Sequence, residues 1–351
     1  AAAAAAAATV EPAYVAAPDV DGFQKNEAVG ESGAVAALPG LFDGGACDAA
    51  TFDAAAWAAA NTDRVAQLLA KHGALLFRAF PGVRDAATFR RFIEAFGDDF
   101  QMTAHVGGGG PRNQVDGPVH TSTESPKELF IQYHHELVYH NAPPSKLYFF
   151  CLTKAPVDGQ TPILLSRRVV AALEQERPEF VAKLAKEGVR YSRTFESRDT
   201  CARAYQRSWQ EAFDTDERAV AEQRALEIGT ERVTWLDNGA MKCDTQRFDG
   251  IVQDARTGER LFFNAIVLLH PAAHNNDAAG ATNAAKYWNA TYGDHSPIAD
   301  DDVVAAKRIT REEGTMFDWQ QGDVLLVDNY IALHARNSFD GPRKILAAMV
   351  K

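Results

Sequence analysis

His134 and Glu136 stand two residues apart in Ile131-Gln132-Tyr133-His134-His135-Glu136-Leu137, a stretch with the composition of a strand. In a strand, positions i and i+2 project from one face, so an imidazole and a carboxylate converge. That is two thirds of the two-histidine, one-carboxylate set that holds ferrous iron on one face and leaves the other open. The same spacing also serves as an ordinary polar pair, so the reading depends on a third ligand from elsewhere. The candidate is His334, at the end of Gly322-Asp323-Val324-Leu325-Leu326-Val327-Asp328-Asn329-Tyr330-Ile331-Ala332-Leu333-His334, where the apolar run predicts a buried strand that delivers it. Farther on, Gly341-Pro342-Arg343 opens the last strand and offers a guanidinium to the far carboxylate of a dicarboxylate cosubstrate. A surface salt bridge is the plainer alternative for Arg343.

The other histidines fit a metal less well. His135 faces away from its neighbours on a regular strand, which suits packing or hydrogen bonding. His140 has the right parity, but at about 3.3 Å per residue it lies roughly 20 Å from His134. His270 and His274 have the spacing of two ligands on a helix, yet Pro271 and Asn275-Asn276 mark a turn and no glutamate lies between them.

The elements that must position these residues are strands with helices around them. A helix is predicted from Asn61 to His72 and stopped by Gly73, followed by a strand over Ala74–Phe80. Asp85 caps a second helix whose stripe is Phe89, Phe92, Ile93 and Phe96. Val106–Glu124 is turn-rich text of the kind a domain keeps for binding. Further strands are expected at Leu147–Leu152, Pro162–Leu165, Val189–Phe195, Val233–Leu236, Leu261–Leu269, Thr315–Trp319, Val324–Asp328 and Lys344–Val350. Helical text interrupts them at Arg167–Glu187, restarted by Pro178, and at Trp209–Ile228. The fold class is therefore mainly β with flanking helices, a sandwich or barrel core. Residues 1–50, rich in Ala and Gly, read as an arm with few anchoring points, and 51–351 as a single domain. Ala1–Ala8 without an initiating Met points to a trimmed or a processed chain, and is compatible with removal of an export or organelle signal.

Composition excludes other classes. The 351 residues are 46% hydrophobic and 24% charged, as in a globular chain, and the net charge of -11 repels polyanions with no basic stripe to offset it. No apolar run approaches the roughly 18 to 20 residues a membrane span requires. The partner is thus expected to be a small-molecule substrate, not nucleic acid or a membrane. Cys47, Cys151, Cys201 and Cys243 form no Cys-x-x-Cys pair, which points to a reducing intracellular compartment.

Taken together these motifs resemble the iron(II) and 2-oxoglutarate dependent dioxygenases of the TauD/TfdA family, in the branch similar to the syringomycin-biosynthesis hydroxylases. The resemblance covers most of the chain and includes Thr121-Ser122-Thr123-Glu124, the Gly159-Gln160-Thr161-Pro162 turn and Thr257-Gly258-Glu259-Arg260-Leu261-Phe262-Phe263-Asn264. It implies a double-stranded β-helix, the jelly roll also described as cupin-like. It implies Fe(II) bound by His134, Glu136 and His334, and 2-oxoglutarate held by Arg343 with help from Thr161, Arg336 and Lys344 being the neighbouring alternatives to Arg343. Glu124, Arg193 and Asn264 lie in segments similar to family segments near the active site and are candidate substrate contacts. Each also has a structural explanation: a turn cap, a surface pair or a satisfied backbone.

The implied reaction consumes O2 and 2-oxoglutarate, releases succinate and CO2, and oxidises an unactivated C–H bond of a small, amino-acid-derived metabolite in specialised biosynthesis. Desaturation and cyclisation of the kainoid-synthase type share that chemistry. Halogenating relatives lack the carboxylate ligand, so Glu136 argues against halogenation. A non-catalytic cupin-like binding protein and a zinc hydrolase are the readings of other classes; the intact ligand set opposes the first, and Arg343 with Thr161 the second. Free and carrier-bound substrates are not separated by the sequence.

Overall fold

A computed structural model describes residues 10–15, 38–104, 107, 108, 110, 112–201, 207–274 and 287–351. Its backbone is an eight-stranded sheet, in spatial order β1 (Ala13–Val15), β2 (Gly40–Asp43), β3 (Ala74–Arg78), β16 (Val324–Asp328), β7 (Lys146–Thr153), β19 (Lys344–Val350), β5 (Val119–Thr121) and β4 (Gln114–Asp116). Only the β2–β3 pair in it is parallel. A second sheet of three strands has β17 (Ala332–Arg336) between β6 (Ile131–His134) and β9 (Ile163–Leu165). A third runs β11 (Thr230–Trp235), β12 (Met241–Thr245), β10 (Val189–Phe195), β15 (Trp288–Tyr292). Two ribbons complete the set, β13 (Val252–Gln253) with β14 (Arg260–Leu261), and β8 (Val157–Asp158) with β18 (Phe339–Asp340).

Three apolar layers hold the large and the three-stranded sheets. Residues of one face of the large sheet, Leu76, Leu147, Leu325 and Ile345, pack with Ile163, Leu165 and Ala332 of the three-stranded sheet. The alternate residues, Phe77, Tyr148, Phe150 and Leu326, face the opposite way. There they meet Trp57, Leu69, Phe89 and Phe92 from the helices Ala54–Ala60, Thr62–His72 and Ala86–Glu94. This alternation is the period-two signature of a strand buried on both faces. The third layer packs Leu164 and Leu333 against the helices Ser166–Glu176, Pro178–Glu187 and Asp300–Glu312. Two of these helix starts have a local cause: Asp85 forms a capping box with Thr88, and Pro178 sits at the first turn of its helix.

Several expectations need correction. The apolar run from Gly322 to His334 is two strands in two sheets, because the chain turns after Asp328, whose carboxylate accepts from Tyr330 N. Leu261–Leu269 is not one strand: β14 ends at Leu261, and the chain turns into a short helix at Ile266–Leu269, with Asn264 Oδ1 accepting from Ile266 N in the turn that leads into it. Thr315–Trp319 makes one bridge to Ile163 and otherwise contributes Phe317 and Trp319 to the core. Trp209–Ile228 divides into helices at Trp209–Ala212 and Arg218–Glu227, with Asp214 in the left-handed region at φ 49°. Within the stretch read as a loose arm, β1 and β2 are paired into the large sheet, and Leu38, Leu41 and Phe42 are buried. No helix among the described residues is long and apolar enough to cross a membrane.

Candidate active site

β6 and β17 run antiparallel with His134 directly opposite His334, so the register of one strand pair brings the two imidazoles together. Their ring centroids are 4.3 Å apart. β6 ends at His134, and Glu136 arrives by a turn and not by strand alternation, with Leu137 at φ 52° just beyond it. Asn329, in the link between β16 and β17, fixes that turn. Its Oδ1 accepts from Glu136 N at 2.7 Å, and its Nδ2 donates to the Glu136 carbonyl at 3.0 Å and the Pro144 carbonyl at 2.8 Å. The same link therefore sets up the strand of His334 and the backbone of Glu136.

Glu136 Oε2 lies 3.7 Å from His134 Nε2 and 3.8 Å from His334 Nε2, and one ligand atom from each residue lies within 4.8 Å of the others. These separations are too long for hydrogen bonds and suit three donors around one ion. The second carboxylate oxygen is occupied: Arg112 Nη2 meets Oε1 at 2.9 Å. Burial alone would raise the Glu136 carboxyl, but Arg112, His134 and His334 outweigh it and hold the group well below the usual range, so it stays ionised. Burial, reinforced by His134, holds His334 well below the usual imidazole range and leaves it neutral, as a ligand must be. His134 Nδ1 is tied to the Gln132 carbonyl at 2.8 Å, which turns Nε2 toward the carboxylate. His135 points away, sealed at 0% exposure among the Asn329 carbonyl, Ser166 Oγ and the Phe262 carbonyl, and burial pushes it down to about 4.

Two chambers meet at this triad. The first, about 540 Å³, is lined by His134, Glu136 and His334 together with Thr161, Arg336 and Arg343. Arg343 Nε donates to the Gly159 carbonyl at 2.8 Å, and Nη2 reaches Thr161 Oγ1 at 3.4 Å. The approach needs a glycine, since Gly159 sits at φ 75° and an added Cβ would come within 3.0 Å of Arg343. Burial, with Arg336 nearby, lowers the Arg343 guanidinium to about 10, still charged at neutral pH. Arg336 is engaged elsewhere, donating to the carbonyls of Thr123, Ser125, Pro126 and Leu129.

The second chamber, about 800 Å³, shares His134, Glu136 and Arg112 with the first and adds Arg193, Arg207 and Trp288. Of the candidate substrate contacts, only Arg193 lines it. Glu124 is exposed and accepts from Asn113 Nδ2 at 2.5 Å. Asn264 is buried and serves backbone, donating to the Gly250 carbonyl and accepting from Ile266 N. Sequence reasoning did not single out Arg112, Arg207 or Asn329. Arg112 follows the glycine run and Asn329 interrupts an apolar stretch, so each carried a local signal, but the partner lies far away in sequence.

A histidine–carboxylate–histidine triad beside the half-buried Arg343 is a donor set that suits a non-heme iron oxygenase. The comparisons with known proteins agree: residues 36–349 match the family described as "Taurine catabolism dioxygenase TauD, TfdA family", and the chain belongs to it. The protein is a 2-oxoglutarate-dependent dioxygenase that uses Fe(II), 2-oxoglutarate and O2. It is 37% identical over 286 residues to a "Clavaminate synthase-like protein" of Arabidopsis thaliana, covering 81% of this chain and 83% of that one. It is 26% identical over 289 residues to the "Dapdiamide synthesis protein DdaC" of Enterobacter agglomerans, covering 81% and 84%. A solved taurine dioxygenase from Burkholderia xenovorans aligns with a TM-score of 0.49 at 14% identity, over 89% of this chain and 85% of that one.

Proposed function

We propose that this dioxygenase oxidises an unactivated C–H bond of a small, amino-acid-derived metabolite in specialised biosynthesis, converting 2-oxoglutarate to succinate and CO2. The observation that carries the reading is that His134 and Glu136 line both chambers, with Arg343 and Thr161 on one side and Arg193 on the other. His134, Glu136 and His334 would hold the iron, which when bound supplies the activation of dioxygen that side chains lack. The protein's own part is positional. His334 presents a neutral nitrogen and His134 its Nε2, Glu136 presents one oxygen while Arg112 keeps the other, and Arg343 with the Thr161 hydroxyl receives the distal carboxylate of the cosubstrate. Leu147, Ile345 and Ala347 give the first chamber an apolar wall that keeps water from the bound carboxylate.

The family's dioxygenase description and the name of the dapdiamide relative support a biosynthetic oxidation. The motif resemblance favours the syringomycin-type branch, and the two sheets packed through Leu147, Leu325, Ile163 and Leu165 suit a double-stranded β-helix core. The test is to reconstitute the protein with iron(II) without oxygen, offer a panel of amino acids and their derivatives beside fatty acids and short peptides, then admit oxygen and measure succinate and product mass. The expected result is succinate formation coupled to a product heavier by one oxygen. Coupling to fatty acids or peptides alone would contradict the substrate class, and loss of two hydrogens would redirect the reading to desaturation or cyclisation.

A further inference from the structure

The second chamber joins the triad to cations that the chemistry of the first does not use. Arg193 is 5% exposed and held between two aromatic faces, its guanidinium carbon 4.3 Å from the centre of the Tyr139 ring and 4.7 Å from that of Phe195. One nitrogen, Nη1, donates to the Gly107 carbonyl at 3.0 Å, while Nε is buried without a partner among the described residues. No carboxylate of the described residues pairs with it. A buried guanidinium without a counter-ion is costly, and the stacking rings fix its plane without neutralising its charge. Arg207 lines the same chamber and spends a nitrogen on the Glu211 backbone carbonyl. Burial lowers its guanidinium, and the neighbouring Arg112 adds to the effect despite the opposing pull of Glu211. Arg112 itself is committed to Glu136.

We propose that Arg193 and Arg207 form an anion subsite that receives the substrate's own carboxylate, so that the substrate is a released acid and not an acyl group tethered to a carrier as a thioester. This deepens the dioxygenase reading and rests on it. A carboxylate supplies the missing negative charge and matches the planar guanidinium fork. A thioester is uncharged and leaves Arg193 as it stands, and its pantetheine arm would occupy the space that the carboxylate would otherwise fill. With its acid end at Arg193, a bound substrate presents its remaining carbons toward His134 and Glu136, which line the same chamber.

The experiment uses the full chain, loaded with iron(II) without oxygen and saturated with 2-oxoglutarate so that Arg343 is already occupied. Butyrate, butyramide and S-butyryl-pantetheine are titrated and followed by ligand-observed NMR. Butyrate is expected to bind saturably at one site, with the amide and the thioester at least about tenfold weaker. Arg193→Met is expected to weaken butyrate roughly 30-fold while leaving the butyramide value in place, a discrimination that a general loosening of the chamber would not produce. Arg207→Met, at a half-buried position, should weaken butyrate in the same sense and keeps the test decisive if Arg193→Met fails to fold. Thioester binding as tight as butyrate, butyrate binding unchanged in the folded variants, or no saturable butyrate binding would each overturn the proposal. Failure of iron(II) or 2-oxoglutarate to bind at the outset would overturn the dioxygenase reading, and the inference with it.

Discussion

Glu136 is constrained from both ends: Oε2 faces two imidazoles, Oε1 meets Arg112, and its backbone is clamped by Asn329. A carboxylate so surrounded is fixed in orientation before any ligand arrives, which lowers the entropy that binding must overcome. Arg343 and Arg336 differ at the same scale although both line the first chamber. Arg336 donates to four backbone carbonyls, whereas Arg343 donates to one and otherwise reaches only a hydroxyl at 3.4 Å. Arg343 therefore has capacity left for a carboxylate. Truncating one partner of such a pair costs on the order of 2 to 5 kcal/mol, about 30-fold to several thousandfold in affinity. Arg343→Ala should raise the 2-oxoglutarate requirement by that amount, read from succinate formation against cosubstrate concentration. Arg336→Ala should act on thermal stability, by freeing the carbonyls of the 123–129 segment. If Arg336→Ala raised the requirement and Arg343→Ala did not, the assignment would pass to Arg336.

Among the elements, the β16–β17 connection does most to assemble the site, since it hands the chain from the large sheet to the small one and carries Asn329 on the way. The start of β16 is pinned by a buried ion pair in which Arg78 Nη2 meets Asp323 Oδ2 at 2.7 Å. Burial raises the Asp323 carboxyl despite Arg78, but the bidentate geometry and the additional bond from Gln320 N favour the ionised pair at neutral pH. Asp323→Ala removes the carboxylate that balances a buried guanidinium and should cost about 3 to 5 kcal/mol in urea unfolding. A loss below 1 kcal/mol would mean that water already reaches the pair.

Legibility in the sequence followed the range of the determining contact. β10, β16 and β19 were readable end to end, as was the Asp85 cap, because period and capping chemistry are local. The three ligand candidates were readable as types, and the structure brings them together, but the reason given for Glu136 was wrong: a turn held by Asn329 replaces strand alternation. Leu261–Leu269 misled because a short apolar run does not declare its period, and a turn in which Asn264 accepts from Ile266 N interrupts it. Arg112 could not be assigned in advance, since its partner is fixed by a tertiary fold that brings it against the turn carrying Glu136.

At the scale of the whole molecule, helices cover the outer face of the large sheet and one face of the small one, leaving the triad at a junction between chambers and not in the sealed apolar layers. A net charge of -11 makes the surface repel anions, while the chambers concentrate arginines, so selection of an anionic cosubstrate depends on the interior. All of this presupposes one ferrous ion at His134, Glu136 and His334. The most direct measurement is the iron content of anaerobically reconstituted protein beside His134→Ala and His334→Ala, with circular dichroism recorded on the same samples. One ferrous ion per chain in the unaltered protein, lost from both variants while their folded spectra persist, is the predicted result. Either variant retaining stoichiometric iron and full turnover would contradict the site.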